Sequence, residues 1–448
     1  MILPIVAIPP SIAAGLAGYK DLFPRSETFQ HIQEYCTGLV VLDRPSIQRM
    51  AQCFVGGPCQ SSLNKAITAS PWSVEDVNQR RLAGIHAHHH QGFTVGIVDS
   101  TFLHHPRGQT IYGVYKYWDY VEHRYTYALQ LVTAARSTQD RLDGVDYRIY
   151  HRDFEEQERL YLRQTALPDD CEDREALRQR VLELVSFHHH RLEAKTKPQL
   201  AVELIRAMEA SAVAPQAYVV DNGLFAPEVI ACIESSQKPW VADSEKTRLL
   251  WYKGQCYNCE TFQQTLPPAV FKPVTIRIRG RERTVWVFTC CVRIRRYGKV
   301  RLAIIYNNSA KDGEPSYVFT KMLVWNAHKI VFVRLHRWDI EPFHEQIKQC
   351  LGAEDSQLQT EDGVRKHLTL VFVVNSLLQS IDLSSPLGDL SMERPRGVLP
   401  TPTFGQRCRR IIFEVFYDLI RTIHQWMTEH TKTVPEIVET LFRRLLYA

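Results

Sequence analysis

The chain has 448 residues, of which 45% are hydrophobic and 23% charged, and it carries a formal net charge of +5. That balance is ordinary for a soluble globular protein, and the length allows two or three structural units with substantial buried cores. Eleven cysteines, scattered without framework spacing, argue against a disulfide scaffold and for a reducing compartment. No uninterrupted apolar run is long enough to span a bilayer. With so small a net charge, any nucleic-acid surface must come from local clustering of cations.

In chain order, Met1 to Gly18 is nearly all apolar, in the manner of a signal peptide. It lacks a basic start and is broken by Pro9-Pro10, so export is not expected. Residues 19 to 92 contain helical patterns near Thr28–Leu39, Ser46–Val55, Ser61–Thr68 and Ser73–His88. From Phe93 the period changes to that of strands. Thr94 to Phe102 is a short apolar run that turns polar at Asp99, and Thr110–Tyr117 and Tyr125–Thr133 follow as further strands of a meander. A lone Asp at a strand end serves as a turn former or as a metal ligand, and spacing alone does not choose.

Residues 137 to 213 are charged and largely helical in pattern, including Arg174–His190 and Pro198–Ala212. Ala217 to Val220 is another apolar strand, ending in Asp221, before a helix at Ala226–Glu234 and a strand at Pro239–Asp243. Strands, helix, strand, helix and strand in this order predict an α/β fold, a mixed sheet covered by helices. Residues 246 to 329 differ. Val274–Arg279 and Val292–Arg295 alternate apolar and cationic residues, and from Lys272 to Arg301 ten cations face the single acid Glu282. Solvated edge strands with protective charges fit this pattern, and so does a phosphate-contacting surface, which the density of one sign favours.

The segment from Arg337 to Gly352 follows. As a helix it places Arg337, Glu341, Glu345 and Lys348 along one face, with Trp338, Ile340, Phe343, Ile347 and Leu351 over much of the other. Leu368–Leu378 is strongly apolar, Ser380 to Gln406 is rich in Pro, Ser and Gly, and Arg407–Thr428 and Pro435–Tyr447 are amphipathic helices. Those two helices fit either an oligomerisation element or an intramolecular hairpin. Cys256, Cys259, Cys290 and Cys291 depart from common zinc-ligand spacing, and free thiols are the default. The triplets His88–His90 and His188–His190 cannot readily converge on a metal from one helix.

Arg337-Trp338-Asp339-Ile340-Glu341-Pro342-Phe343-His344, with Lys348, resembles the carboxy-terminal signature of DDE transposases of the insertion sequence 4-like kind. That family places a Tyr three residues before the Arg, and here Arg334 stands in its position. Asp99-Ser100-Thr101 is similar to the setting of the family's first catalytic Asp, and Asp221 falls where the second is expected. The resemblance implies an RNase H-like core with a β-strand insertion and helical N- and C-terminal regions, bounded near residues 1–92, 93–245, 246–329, 330–385 and 386–448. It implies cut-and-paste transposition, with Asp99, Asp221 and Glu341 as catalytic residues and ligands of two Mg²⁺ ions, replaceable by Mn²⁺. DNA contacts are expected from Arg334, Arg337 and Lys348 near the metals and from Arg277, Arg279, Arg293 and Arg295 on the basic strands. Double-stranded DNA of the element ends and target, a homodimer in the synapse and a prokaryotic, nucleoid-associated cytoplasmic setting complete what it implies. Asp243 and Asp339 are spare carboxylates with structural roles, and Glu345 pairs with Lys348 more readily than with metal.

Overall fold

A computed structural model of the protein describes residues 3–87, 92–119, 122–139, 141–151, 175–176, 178–183, 195–278, 281–387 and 402–445. Five helices lead into the sheet: α1 (Pro10–Leu16), α2 (Ser26–Val41), α3 (Ile47–Cys53), α4 (Gln60–Thr68) and α5 (Val74–Ala87). The apolar beginning of the chain is used as packing, because Ile12 and Leu16 of α1 are buried in the larger core. Side-chain caps set two of the helix starts. Ser46 accepts from the Arg49 N–H, and Ser73 from the Asp76 N–H.

The central elements are β1 (Val95–His104), β2 (Val114–Asp119), β3 (Arg124–Ser137), β4 (Leu142–Ile149), α6 (Lys197–Ala210), β5 (Ala217–Val220), α7 (Pro227–Ser235) and β6 (Trp240–Ser244). β1 runs antiparallel to β3 and parallel to β5, and β5 is parallel to β6. Both faces of β1 are covered. Val95 and Ile97 join one core cluster and Val98 the other, which explains a near-continuous apolar run in place of a clean alternation. Gly96 is needed for the approach of the next strand, since a Cβ there would meet the Tyr218 ring and Pro215 at 2.7 Å.

β4 corrects the sequence-based expectation that residues 137 to 213 are largely helical. Its acids, Arg148 and an interior Gly144 hide the strand period, and its register against β3 shifts between Ala134 and Ala135. Buried Arg81 of α5 takes up the carbonyls this leaves exposed, donating to Gly144 O at 2.5 Å and also to Val145 O. Most of the helix expected at Arg174–His190, and both histidine triplets, lie outside the described residues.

The basic region contributes β7 (Leu249–Tyr252), β8 (Gln255–Asn258), α8 (Cys259–Gln264), β9 (Lys272–Ile278), β10 (Arg281–Ile294), β11 (Gly298–Tyr306) and β12 (Ser316–Thr320). β12 pairs antiparallel with β6, so these strands extend the central sheet instead of forming their own. The result is a 12-stranded mixed sheet with the path β2-β3-β1-β5-β6-β12-β11-β10-β7-β8, with β4 on β3 and β9 on β10. Five helices close the chain: α9 (Ala327–Leu335), α10 (Ile340–Glu345), α11 (Glu361–Ser380), α12 (Phe404–Thr428) and α13 (Val434–Phe442). α11 is buried along most of its length and holds α10 against the sheet, Phe372 meeting Phe343 edge to face at 5.3 Å between ring centroids. The fold is an α/β, RNase H-like mixed sheet flanked by helices. No described helix is long and apolar enough to cross a membrane.

Candidate active site

Parallel pairing of β1 with β5 places Val98 opposite Val220, so Asp99, which continues in β1 opposite Thr133 of β3, and Asp221, which follows the last residue of β5, come at the same level. Asp99 Oδ1 accepts the Ser100 N–H at 2.6 Å. Asp221 ends its strand by capping a short turn, accepting the Gly223 N–H at 3.3 Å. Glu341, on α10, is exposed, while its neighbours Ile340, Phe343 and His344 are buried. Burial, then the negative charge of Asp221 and more weakly that of Glu341, push the Asp99 carboxyl up to about 7 against the pull of the Ser100 N–H and Arg337.

The segment bearing Glu341 is helical but not uniform. His336–Asp339 is a 3₁₀ turn, α10 follows, and Gln346–Cys350 is a π turn. Pro342 lacks the N–H that would bond back to Trp338, which accounts for the tightened turn before it. The changing pitch fans out the side chains that a regular helix would align. Arg337 reaches Asp221 at 3.1 Å and Asp243 at 2.8 Å, and its guanidinium lies 4.5 Å from the Trp338 ring. Lys348 is directed elsewhere: the carboxylates acting on it are Glu354, Asp119 and Glu345, and burial holds its ammonium below the usual lysine range.

Arg334 departs from the DNA-contacting role expected of it. It is 6% exposed, and its Nε donates to Asp243 Oδ1 at 2.7 Å. Asp243 thus collects two guanidinium groups, and a charge so placed supports β6 and α9 instead of meeting solvent. Arg337 is likewise paired with carboxylates in this structure. His344, which sequence reasoning left unused, braces α10 to β3: its Nε2 is 2.8 Å from Thr133 Oγ1, and Thr133 is the residue opposite Asp99. Burial, aided by Lys348, pushes the His344 ring down to about 3, so it stays neutral. Lys197, at the start of α6, is a second unforeseen neighbour. Burial lowers its ammonium, the charge of Asp99 acts on it, and it lies 5.4 Å from the Tyr150 ring.

On the basic strands, period-two alternation is realised. Val292 and Ile294 are buried, whereas Arg293 and Arg295 are exposed, as is Arg277 on β9. Among the described residues no carboxylate lies within ion-pair distance of these three arginines. Arg279 lies outside the described residues. Arg301 turns inward to Leu323 O and Thr289 Oγ1, at 2.7 and 2.9 Å, and is not part of that face. Cys256, Cys259, Cys290 and Cys291 do not gather into a metal-ligand group among the described residues.

Asp99, Asp221 and Glu341 offer oxygen donors only, the type that hard divalent cations prefer. They do not each bring an oxygen within 4.8 Å of the others, and their fit to such a cation is in charge: beside the larger effect of burial, the negative charge of Asp221 and more weakly of Glu341 raises the Asp99 carboxyl, and a cation would relieve that part. A family model described as DDE superfamily endonuclease matches residues 19–255. The matched span includes Asp99 and Asp221 and ends before the β9–β10 strands and before Glu341. No curated protein matches the chain. Matched over more than half its length, the chain belongs to the DDE superfamily endonucleases.

Proposed function

We propose that this endonuclease is a transposase that cuts DNA at the ends of its own element and joins the freed ends to target DNA. The observation that carries the reading is that Asp99 and Asp221 each follow a residue of the paired parallel strands β1 and β5, with Arg337 of the Glu341-bearing segment bound to Asp221 and Glu341 adding to the negative charge felt at Asp99. Asp99, Asp221 and Glu341 would hold two Mg²⁺ ions, or Mn²⁺ in their place, which when bound supply charge stabilisation for phosphoryl transfer. Arg337 orients Asp221 and Asp243, and Trp338, 40% exposed beside it, offers a ring face to an unpaired base. Arg277, Arg293 and Arg295 engage the sugar–phosphate backbone through charge and carry no sequence information themselves. Lys348 is a further phosphate contact once DNA draws near, and two chains acting as a homodimer would give each element end its own centre. The setting that suits this activity is the prokaryotic nucleoid.

The test is incubation of purified protein with Mg²⁺ and the DNA that flanks its reading frame. Defined cuts at inverted ends, followed by joining to a target duplex, are the expected result. Equal cutting of any duplex would replace the reading with that of a general RNase H-like nuclease. Binding without cutting would make it a DNA-binding protein that has lost catalysis.

A further inference from the structure

Ten of the eleven cysteines fall among the described residues, all as free thiols, and two of these meet across elements that are distant in sequence. Cys350 ends the π turn that follows α10, and Cys408 lies in the first turns of α12. Their side chains are hydrogen-bonded to each other. Cys408, 9% exposed, belongs to the larger core, and Cys350 packs against that core while keeping part of its surface in solvent. Both thiols are held in place by what surrounds them. Ile347 before Cys350 and Leu351 after it are fully buried, and Asn375 of α11 donates to Gln346 Oε1 at 3.3 Å. α12 begins with a capping box between Thr403 and Gln406, and the Arg407 guanidinium donates to Leu378 O at 3.0 Å and Ile381 O at 3.2 Å, where α11 ends. The thiol contact thus joins α12 directly to the segment that carries Glu341 and Lys348.

Thiols in mutual contact need only close the remaining gap to form a disulfide, whose sulfurs lie about 2.05 Å apart. The two sulfurs differ in reactivity. The hydrogen bond from Cys408 holds the Cys350 thiol down to about 7, against burial and the charge of Glu345, while the same bond and burial push Cys408 up. Cys350, the more exposed, is therefore the attacking sulfur and Cys408 the resolving one. Burial makes other thiols poor competitors, pushing Cys53 up to about 11 and Cys259 and Cys290 up to about 12. Exposed Cys59, held down to about 6 by the Ser61 and Ser62 hydroxyls, is also reactive, and its variant is the natural control.

We propose that Cys350 and Cys408 are a redox modification site, a dithiol that a small disulfide oxidises to an intramolecular disulfide fastening α12 to the Glu341-bearing segment. The Cys350 thiolate attacks one sulfur of the small disulfide, so that a mixed disulfide forms and one small thiolate leaves. Cys408 then attacks Cys350 Sγ, the protein disulfide forms and the second small thiolate leaves. The two protons given up by the cysteines end on the two small thiols. A reversible bond of this kind suits a reducing compartment, where disulfides are transient. It stands independently of the transposition reading. The test incubates the full chain with oxidised and reduced glutathione at a series of ratios, for wild type, Cys350→Ser and Cys59→Ser. Non-reduced peptides are mapped by mass spectrometry, and amide exchange is followed along α12. The expected result in wild type and Cys59→Ser is a Cys350–Cys408 crosslinked peptide, reversed by dithiothreitol, with exchange in the first turns of α12 slowed roughly tenfold. Cys350→Ser should show neither change. Because the crosslink is read in wild type, a variant that fails to fold leaves the test intact. No crosslink at any ratio, glutathione retained on Cys350 without transfer to Cys408, a crosslink to another cysteine, or α12 exchange unchanged by the crosslink would each overturn the proposal.

Discussion

Two regions of this protein handle charge in opposite ways. Beside the middle of β1, at the ends of β5 and β6, acids are answered from within: Arg337 takes Asp221 and Asp243, and Arg334 takes Asp243. Along β9 and β10, cations stand exposed, and Arg277, Arg293 and Arg295 have no carboxylate at ion-pair distance among the described residues. The paired region is pre-organised and expensive to disturb. The unpaired one costs little to build in water and retains its charge for an external polyanion. Position and affinity are thereby assigned to different parts of one continuous sheet.

The sharpest way to break this contrast is to substitute the acids. Asp99→Asn or Asp221→Asn should lower metal-dependent DNA cleavage by at least ~1,000-fold while duplex binding changes little, read by a nicking assay beside a binding titration. Next in size is the internal pairing. Asp243→Asn leaves buried Arg334 and half-buried Arg337 short of their anion and should destabilise the fold by about 2–4 kcal/mol in equilibrium denaturation. Replacing Arg293 and Arg295 together by Ala should leave the folded stability alone. It should weaken duplex binding roughly tenfold at low salt and reduce the slope of log affinity against log salt by about 2.

The last effect is a titration. The Asp99 carboxyl sits near 7 in the fold against an ordinary 3.8, so between those values the native state keeps a proton that the unfolded chain has released. Stability of the metal-free protein should therefore fall as pH rises from about 4 to 7, and Asp99→Asn should abolish that dependence. Divalent-ion affinity should move in the other direction, rising up to about pH 7 as the competing proton leaves.

The strands that carry or precede Asp99 and Asp221 were legible in the sequence because each is a short apolar run too rich in β-branched residues for a helix. The helical entry was equally legible, α2 to α5 falling close to the predicted segments. β4 was not, since its burial depends on Arg81, 63 positions upstream of Gly144, and on a register shift in its neighbour. Nor could spacing reveal that Arg334 is spent on Asp243, a partner 91 positions away. The regular face expected for Arg337, Glu341 and Lys348 failed for a local reason: Pro342 and the following π turn change the pitch on either side of Glu341. The joining of β12 to β6, which makes the basic strands part of the central sheet, is a long-range pairing that alternation alone cannot specify.

Glu341 lies beyond the matched family span, and its proposed place in the centre rests on the charge it exerts on Asp99 and on the binding of Asp221 by Arg337 of the same segment. The most direct measurement is cleavage of flank-containing duplex in Mg²⁺ by wild type and Glu341→Gln at matched DNA occupancy. Cleavage by wild type and its loss in Glu341→Gln, with binding retained, is the result predicted. Equal cleavage by the two proteins would contradict the assignment of Glu341 as the third catalytic acid.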